Sequence, residues 1–359
     1  MHPSSHRRKL VTIVGARPQF VKAFALSRAL AKVRELEEVI LHTGQHFDHN
    51  MSDVFFEELE IPAPRYHFAG GASAQGAATA QMLMDIESAL LAEKPDAVIV
   101  YGDTNSTLAG ALAASKLHIP LVHVEAGLRS FNRRMPEEIN RVVADHLSDL
   151  LLCPTQTAVD NLAREGVMHN VHLVGDLMYD ATLYATEIAA RRSQVLERLD
   201  LSHKPYVVAT LHRAENTGDP GRLKQLLDFI ANQRGGIPVV FPVHPRTRKA
   251  AESEGLILHR PGFISIEPLG YLDMCRLVHH ASLVFTDSGG LQKEAYFHRV
   301  PCVTLRGETE WPETIECGWN RLWTEAEFRP RREIPELDGQ LAAPAIARLL
   351  QSEFVPRQQ

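Results

Sequence analysis

Short runs of Val, Ile and Leu return at intervals along the first half of the chain, at residues 10–14, 38–42, 97–101, 121–125 and 150–153. Each is the length of one buried strand and too short for a helix. Amphipathic stretches at 19–33, 75–91, 106–117 and 137–147 lie between them and suit helices. Parallel strands need long crossovers, and strands apolar on both faces need cover on both sides. The alternation therefore predicts an α/β fold with a doubly wound parallel sheet. It pauses near 171–174, where a strand-like run leads into Gly175-Asp176 and a polar, Ala-rich segment at 179–199. A second series follows at 206–211, 238–242, 282–287 and 301–305. Two domains are expected, 1–175 and 176–341, and 359 residues are enough for two cores. The last helical stretch, about 342–359, is a candidate to pack back on the first domain.

Charge narrows the function classes. A net charge of -6, from 38 basic and 44 acidic side chains, leaves no electrostatic footprint for nucleic acid. A few arginines can still meet an anionic ligand locally. Cys153, Cys275, Cys302 and Cys317 form no Cys-x-x-Cys pair and read as reduced, core or near-core residues. No run approaches the ~18 apolar residues of a membrane span, and residues 1–9 with the broken run after them do not make a signal peptide. A cytoplasmic protein is expected.

In such sheets ligands bind beyond the carboxyl ends of the strands, so the polar residues that follow each run deserve the closest reading. The first strand ends in Gly15-Ala16-Arg17-Pro18, without the Gly-x-Gly-x-x-Gly of a dinucleotide site. Arg17 and Lys22 are placed to meet phosphate at a helix N-terminus; the plainer alternative is a surface arginine and a solvated lysine. Asp103 and Glu125 stand at the next two strand ends, and Glu137-Glu138 opens a helix. Asp103 could cap its helix and Glu138 could serve only the helix dipole. Three carboxylates at one rim, near arginines 129, 133, 134 and 141, instead suit acid and base work, since carboxylates held close raise one another's pKa. In the second half His212, His244 and Ser288-Gly289-Gly290 follow strands, as does His46 in the first. Ser288-Gly289-Gly290 offers a hydroxyl and backbone N–H groups at a helix start, where a diphosphate binds well. Glu294, one turn on, could accept from a ribose diol. No metal-ligand spacing and no Gly-x-Ser-x-Gly elbow is present.

These motifs resemble the non-hydrolysing UDP-N-acetylglucosamine 2-epimerases. The resemblance runs through GARPQFVK (15–22), TGQHFDHNMSDVFFEEL (43–59), YGDTNSTLAGALAASKLHIPLVHVEAGLRS (101–130), MPEEINR (135–141), CPTQTAVDNL (153–162), TLHRAENTG (210–218), PVHPRT (242–247), TDSGGLQKEA (286–295) and PCVTLRGETEWPETIECGWN (301–320). It implies the GT-B fold, two Rossmann-like domains facing a cleft. It also implies anti elimination of UDP to a 2-acetamidoglucal, followed by re-addition, with no cofactor and no metal. The catalytic residues it implies are Asp103, Glu125, Glu137 and His212. The substrate-binding residues are Arg17, Lys22, Arg129, Arg134, His244, Ser288, Gly289, Gly290, Glu294 and Arg306. Partners implied are a UDP-sugar and a second copy of the chain, as a homodimer.

Two departures bear on substrate. The loop 71–78 lacks the polar pattern with which some relatives hold an activating UDP-sugar. The loop LRSFNRRMPEE occurs also in epimerases of UDP-2,3-diacetamido-2,3-dideoxyglucuronate, and Arg133 and Arg134 suit either a sugar carboxylate or a phosphate. That substrate is the alternative, with a GT-B glycosyltransferase and a non-catalytic nucleotide-sugar sensor behind it.

Overall fold

Both series of apolar runs form parallel sheets in a computed structural model of the chain, which describes residues 7–45, 58–59, 61–70, 74–335 and 340–352. The first sheet holds β1 (Arg8–Val14), β2 (Leu36–His42), β3 (Tyr66–His67), β4 (Ala97–Tyr101), β5 (Leu121–Val124), β6 (Leu150–Cys153) and β7 (Val171–Leu173). Their order is β3-β2-β1-β4-β5-β6-β7, every pair parallel. The second holds β8 (Val207–Thr210), β9 (Val239–Pro242), β10 (Phe263–Ile266), β11 (Leu283–Thr286), β12 (Cys302–Thr304) and β13 (Asn320–Leu322), in the order β10-β9-β8-β11-β12-β13, again all parallel.

Strand order reverses between β1 and β4 in the first sheet and between β8 and β11 in the second. At such a reversal the flanking crossovers diverge and leave a crevice beyond the strand ends. The strands there are firmly buried: all five residues of β4 and all four of β8 are inside. Polar ends on strands so firmly packed make a rigid base for a site.

The first unit runs to Ala181 and takes in the helix Ala342–Ser352; the second begins at Thr182. The division falls inside the helix Leu177–Arg192 and later than residue 175, because Asp180 is tied to the first unit. Its buried carboxylate accepts from the backbone N–H groups of Ala342, at 3.0 Å, and Ala343, at 2.7 Å, at the start of the returning helix. That helix packs against the helix Arg17–Leu30. The four cysteines are free thiols, with Cys153, Cys275 and Cys302 buried and Cys317 half-buried.

Candidate active site

In the first unit, Asp103 and Glu125 follow neighbouring strands, since Tyr101 of β4 pairs with Val124 of β5. Thr104, not Asp103, caps the helix Asn105–Lys116, accepting from the Thr107 N–H at 3.3 Å. Asp103 is thereby left to pair with Arg141, with its side chain 32% exposed. Glu125 sits in the left-handed region at φ 70°, which costs a non-glycine residue roughly 1–2 kcal/mol. Strain of this kind persists where the surroundings over-determine it, typically at a working site.

The carboxylate of Glu125 pairs with the buried ammonium of Lys22. It also lies against Gly102, where a Cβ would stand 2.8 Å from Oε2, so only glycine fits there, at φ 60°. Burial pushes the Glu125 carboxyl up; Lys22 opposes that rise, and the charges of Asp176 and Asp103 add to it. A cavity of about 10 Å³, room for about one water, is lined by Lys22, Glu125 and Asp176.

Glu137 is exposed in the first turn of the helix Pro136–Leu147. It stands one turn before Arg141, the partner of Asp103, on the same helix face. Its neighbour Glu138 does more than complement a dipole: its buried carboxylate accepts from Ser130 N, Ser130 Oγ and Phe131 N, each at 2.9 Å, and pins the 130–131 loop. Arg17 and Arg134 are exposed. Arg129 faces inward, with its side chain 1% exposed and its guanidinium bound to Asp145 at 2.6 Å and Glu165 at 2.7 Å. A guanidinium held by two internal carboxylates braces the loop.

In the second unit, β8 and β11 are neighbours, with Thr210 paired to Thr286, and their ends bring His212 and Asp287 together. Asp287 is fully buried and accepts from His212 N, Arg213 N and Asn216 Nδ2 at 2.9 to 3.0 Å. His212 Nδ1 lies 3.2 Å from Asp287 Oδ1, while the ring is 34% exposed. His244, at the end of β9, caps the helix Pro245–Ser253 through Nδ1, which accepts from Arg246 N at 3.1 Å. An Nδ1 that accepts places the proton on Nε2, which becomes a donor. The two imidazoles lie 5.4 Å apart.

Ser288 caps the helix Gly289–Phe297 with its hydroxyl, which accepts from Leu291 N at 3.4 Å. Gly289 and Gly290 open that helix, where N–H groups lack intrahelical acceptors, and Glu294 is buried one turn on. A Cβ on Gly289 would stand 2.1 Å from Glu310 Oε1. Glu310 in turn holds Arg306 at 2.6 Å, and Arg306 lies 3.7 Å from Glu215. An acidic side chain thus sits against the glycine loop, beside the arginine expected to meet phosphate. Asp287, Glu310, Asp145 and Asp176 are not singled out as candidates from sequence; Asp287 lies against His212, Glu310 against Gly289 and Arg306, Asp145 against Arg129, and Asp176 lines the cavity with Glu125. His46 and residues 71–73 lie outside the described residues.

Comparison with known proteins bears on the same residues. Residues 28–340 match the family described as UDP-N-acetylglucosamine 2-epimerase. A UDP-N-acetylglucosamine 2-epimerase homolog of Methanococcus maripaludis is 52% identical over 319 residues, 88% of each chain. The UDP-2,3-diacetamido-2,3-dideoxy-D-glucuronate 2-epimerase of Pseudomonas aeruginosa is 51% identical over 318 residues, again 88% of each. The crystal structure of Methanocaldococcus jannaschii UDP-GlcNAc 2-epimerase in complex with UDP-GlcNAc and UDP matches with a TM-score of 0.84 at 40% identity, covering 96% of this chain and 99% of that one. With two doubly wound sheets, carboxylates at one switch point and a glycine-opened helix at the other, the chain belongs to the non-hydrolysing UDP-N-acetylglucosamine 2-epimerase family.

Proposed function

We propose that the protein interconverts UDP-N-acetylglucosamine and UDP-N-acetylmannosamine. A base takes the proton from C2 while the C1–O bond breaks and its electron pair leaves with UDP, giving 2-acetamidoglucal. UDP then adds back to C1 as C2 is protonated from the other face. The observation that carries this reading is the likeness, along 96% of the chain, to a UDP-GlcNAc 2-epimerase structure holding UDP-GlcNAc and UDP.

The chemistry asks for two proton-handling groups, one for each face, and for firm stabilisation of the leaving diphosphate. Asp103 and Glu125 are the proposed pair. Glu125 suits a proton-holding role because burial raises its pKa, and Glu137 is the third carboxylate. For the diphosphate, the proposed contacts are the Ser288-Gly289-Gly290 helix start, His244 Nε2–H and Arg306, with Glu294 on the ribose and His212 as acid or base. Arg17, Lys22 and Arg134 are the proposed substrate-binding cations of the first unit.

Incubation with UDP-N-acetylglucosamine in heavy water tests the reaction. Deuterium at C2 of product and of recovered substrate is expected; unlabelled C2 refutes this substrate and leaves the diacetamido-glucuronate alternative, a transferase or a sensor.

A second reading, epimerisation of UDP-2,3-diacetamido-2,3-dideoxyglucuronate, is favoured by the 51% identity to the Pseudomonas aeruginosa enzyme and by two exposed arginines, Arg133 and Arg134, in the loop before Glu137. Labelling with that substrate alone selects it.

No described helix is long and apolar enough to cross a membrane. The same proposal carries a cytoplasmic homodimer, for which light scattering should return twice the chain mass.

A further inference from the structure

His123 lies in the middle of β5, whose residues are all buried, and its own side chain is 0% exposed. Both ring nitrogens have an oxygen at 2.7 Å: Nδ1 meets Asp145 Oδ1, and Nε2 meets the carbonyl of Gly102. A carbonyl oxygen can only accept, so Nε2 carries a proton. Asp145 leaves the same answer for Nδ1. Its Oδ2 receives Arg129 Nη1 at 2.6 Å, and the Gly127 N–H reaches Oδ1 and Oδ2 at 3.3 and 3.2 Å. The Arg129 guanidinium and the Gly127 N–H stabilise Asp145 as an ionised carboxylate, held below its ordinary range although burial opposes it; against an ionised acceptor Nδ1 donates as well.

We infer that His123 is a permanently charged imidazolium, a positioning residue that ties the turn bearing Asp103 to the turn bearing Glu125. The Nε2–H bond fixes the Gly102 carbonyl, one residue before Asp103. The Nδ1–H bond reaches Asp145, which holds Gly127 N, two residues after Glu125. The left-handed turns at Gly102 and Glu125, φ 60° and 70°, are thereby locked to one ring.

The charges around the ring balance: His123 and Arg129 alternate with Asp145 and Glu165, and such pairing is what lets charge persist in an interior. The groups facing the ring are Gly102 from the turn after β4, Asp145 from the helix Pro136–Leu147 and Glu125 from its own strand end. Cys153 of β6 lies near Asp145, and burial pushes its thiol up to about 12, so it stays neutral. Burial alone would pull His123 down, but Asp145 and Gly102 outweigh it and the ring is raised; Asp145 is lowered, although burial opposes that.

Only the consequence for turnover rests on the epimerase reading; the charge of the ring does not. In wild-type protein labelled with 15N-histidine, one buried ring is expected to show two protonated nitrogens with slowly exchanging protons from about pH 6 to about pH 9, across the usual histidine range. A buried ring with one bare nitrogen at about pH 8 overturns the inference, whatever the variants do.

His123→Gln keeps one N–H for Gly102 and removes the charge. Its kcat is expected to fall on the order of 100-fold, the scale of a misplaced catalytic group, with UDP affinity unchanged. The acid limb of its kcat profile should move to higher pH, because Glu125 loses a neighbouring positive charge. A uniform loss with no movement of the limb refutes the positioning role. Should wild type leave C2 unlabelled with both sugar nucleotides, the epimerase reading fails while the nitrogen spectrum still decides the ring; should wild type label and the ring prove neutral, this inference alone falls.

Discussion

Asp287→Asn preserves size and separates anchoring from catalysis at His212. In the wild type Oδ2 receives three N–H donors, from His212, Arg213 and Asn216, at 2.9 to 3.0 Å. An amide nitrogen there would face all three, so the asparagine turns its oxygen to that position and its NH2 to the place of Oδ1. That NH2 then confronts His212 Nδ1, at 3.2 Å in the wild type. It can donate only to a bare Nδ1, which moves the ring proton to Nε2 and removes the base from the exposed end of the imidazole. The structural loss is one bond of Oδ1, a net cost of about 0.5–1.5 kcal/mol. The catalytic loss is that of an acid–base group, about 10²–10⁴ in kcat, or about 2.7–5.5 kcal/mol in the barrier. Steady-state epimerisation gives kcat and KM, calorimetry gives UDP affinity, and urea unfolding gives stability. The expected pattern is a large fall in kcat with UDP binding nearly intact. If kcat survives, or falls only in step with stability, Asp287 is an anchor and His212 takes no proton.

Three further outcomes are expected. Asp103→Asn and Glu125→Gln should lose turnover far more than UDP affinity, and equal loss of both, measured by kcat and UDP titration, would show that the carboxylates are structural. Gly289→Ala puts a Cβ where Glu310 Oε1 now lies, so this side chain must swing away and disturb Arg306; unfolding should change little while KM rises several-fold, and an unchanged KM speaks against a diphosphate there. Burial pushes the Asp180 carboxyl up to about 6, above its ordinary value, so the folded state binds the extra proton. Its contribution to stability is full below the unfolded-state value near about 4 and is lost as pH rises through about 6. The urea midpoint of wild type relative to Asp180→Asn should fall across that window, and a flat difference refutes the assignment.

The central, fully buried strands could be read from sequence because burial on both faces leaves an unbroken apolar run; β4 and β6 have the expected limits, residues 97–101 and 150–153. Three strands at sheet edges could not. Tyr66–His67 is two residues long, Asn320–Leu322 is polar at its start, and Phe263–Ile266 is only partly buried, so none carries a run. Asp103, Glu125, His212 and His244 could be singled out as candidates because they follow apolar runs that form strands. Asp145 lies on a helix 18 residues after Gly127, a pairing that no local pattern announces. Its signal was indirect: a histidine inside the apolar run of β5 must be buried, and a buried ring needs partners for both nitrogens. Sequence spacing likewise does not show which way the Arg129 guanidinium turns, and it faces Asp145 and Glu165.

The helix Ala342–Ser352 also sets a timetable for folding. Its residue Ile346 lines the same cavity as Lys22 and Glu125, and its start is held by Asp180. The residues around Lys22 therefore wait for a helix that is translated only after the whole second unit before this end of the first unit is walled in. Slow synthesis late in the message would prolong the life of a half-finished first lobe, with an apolar helix face open to chaperones or to aggregation.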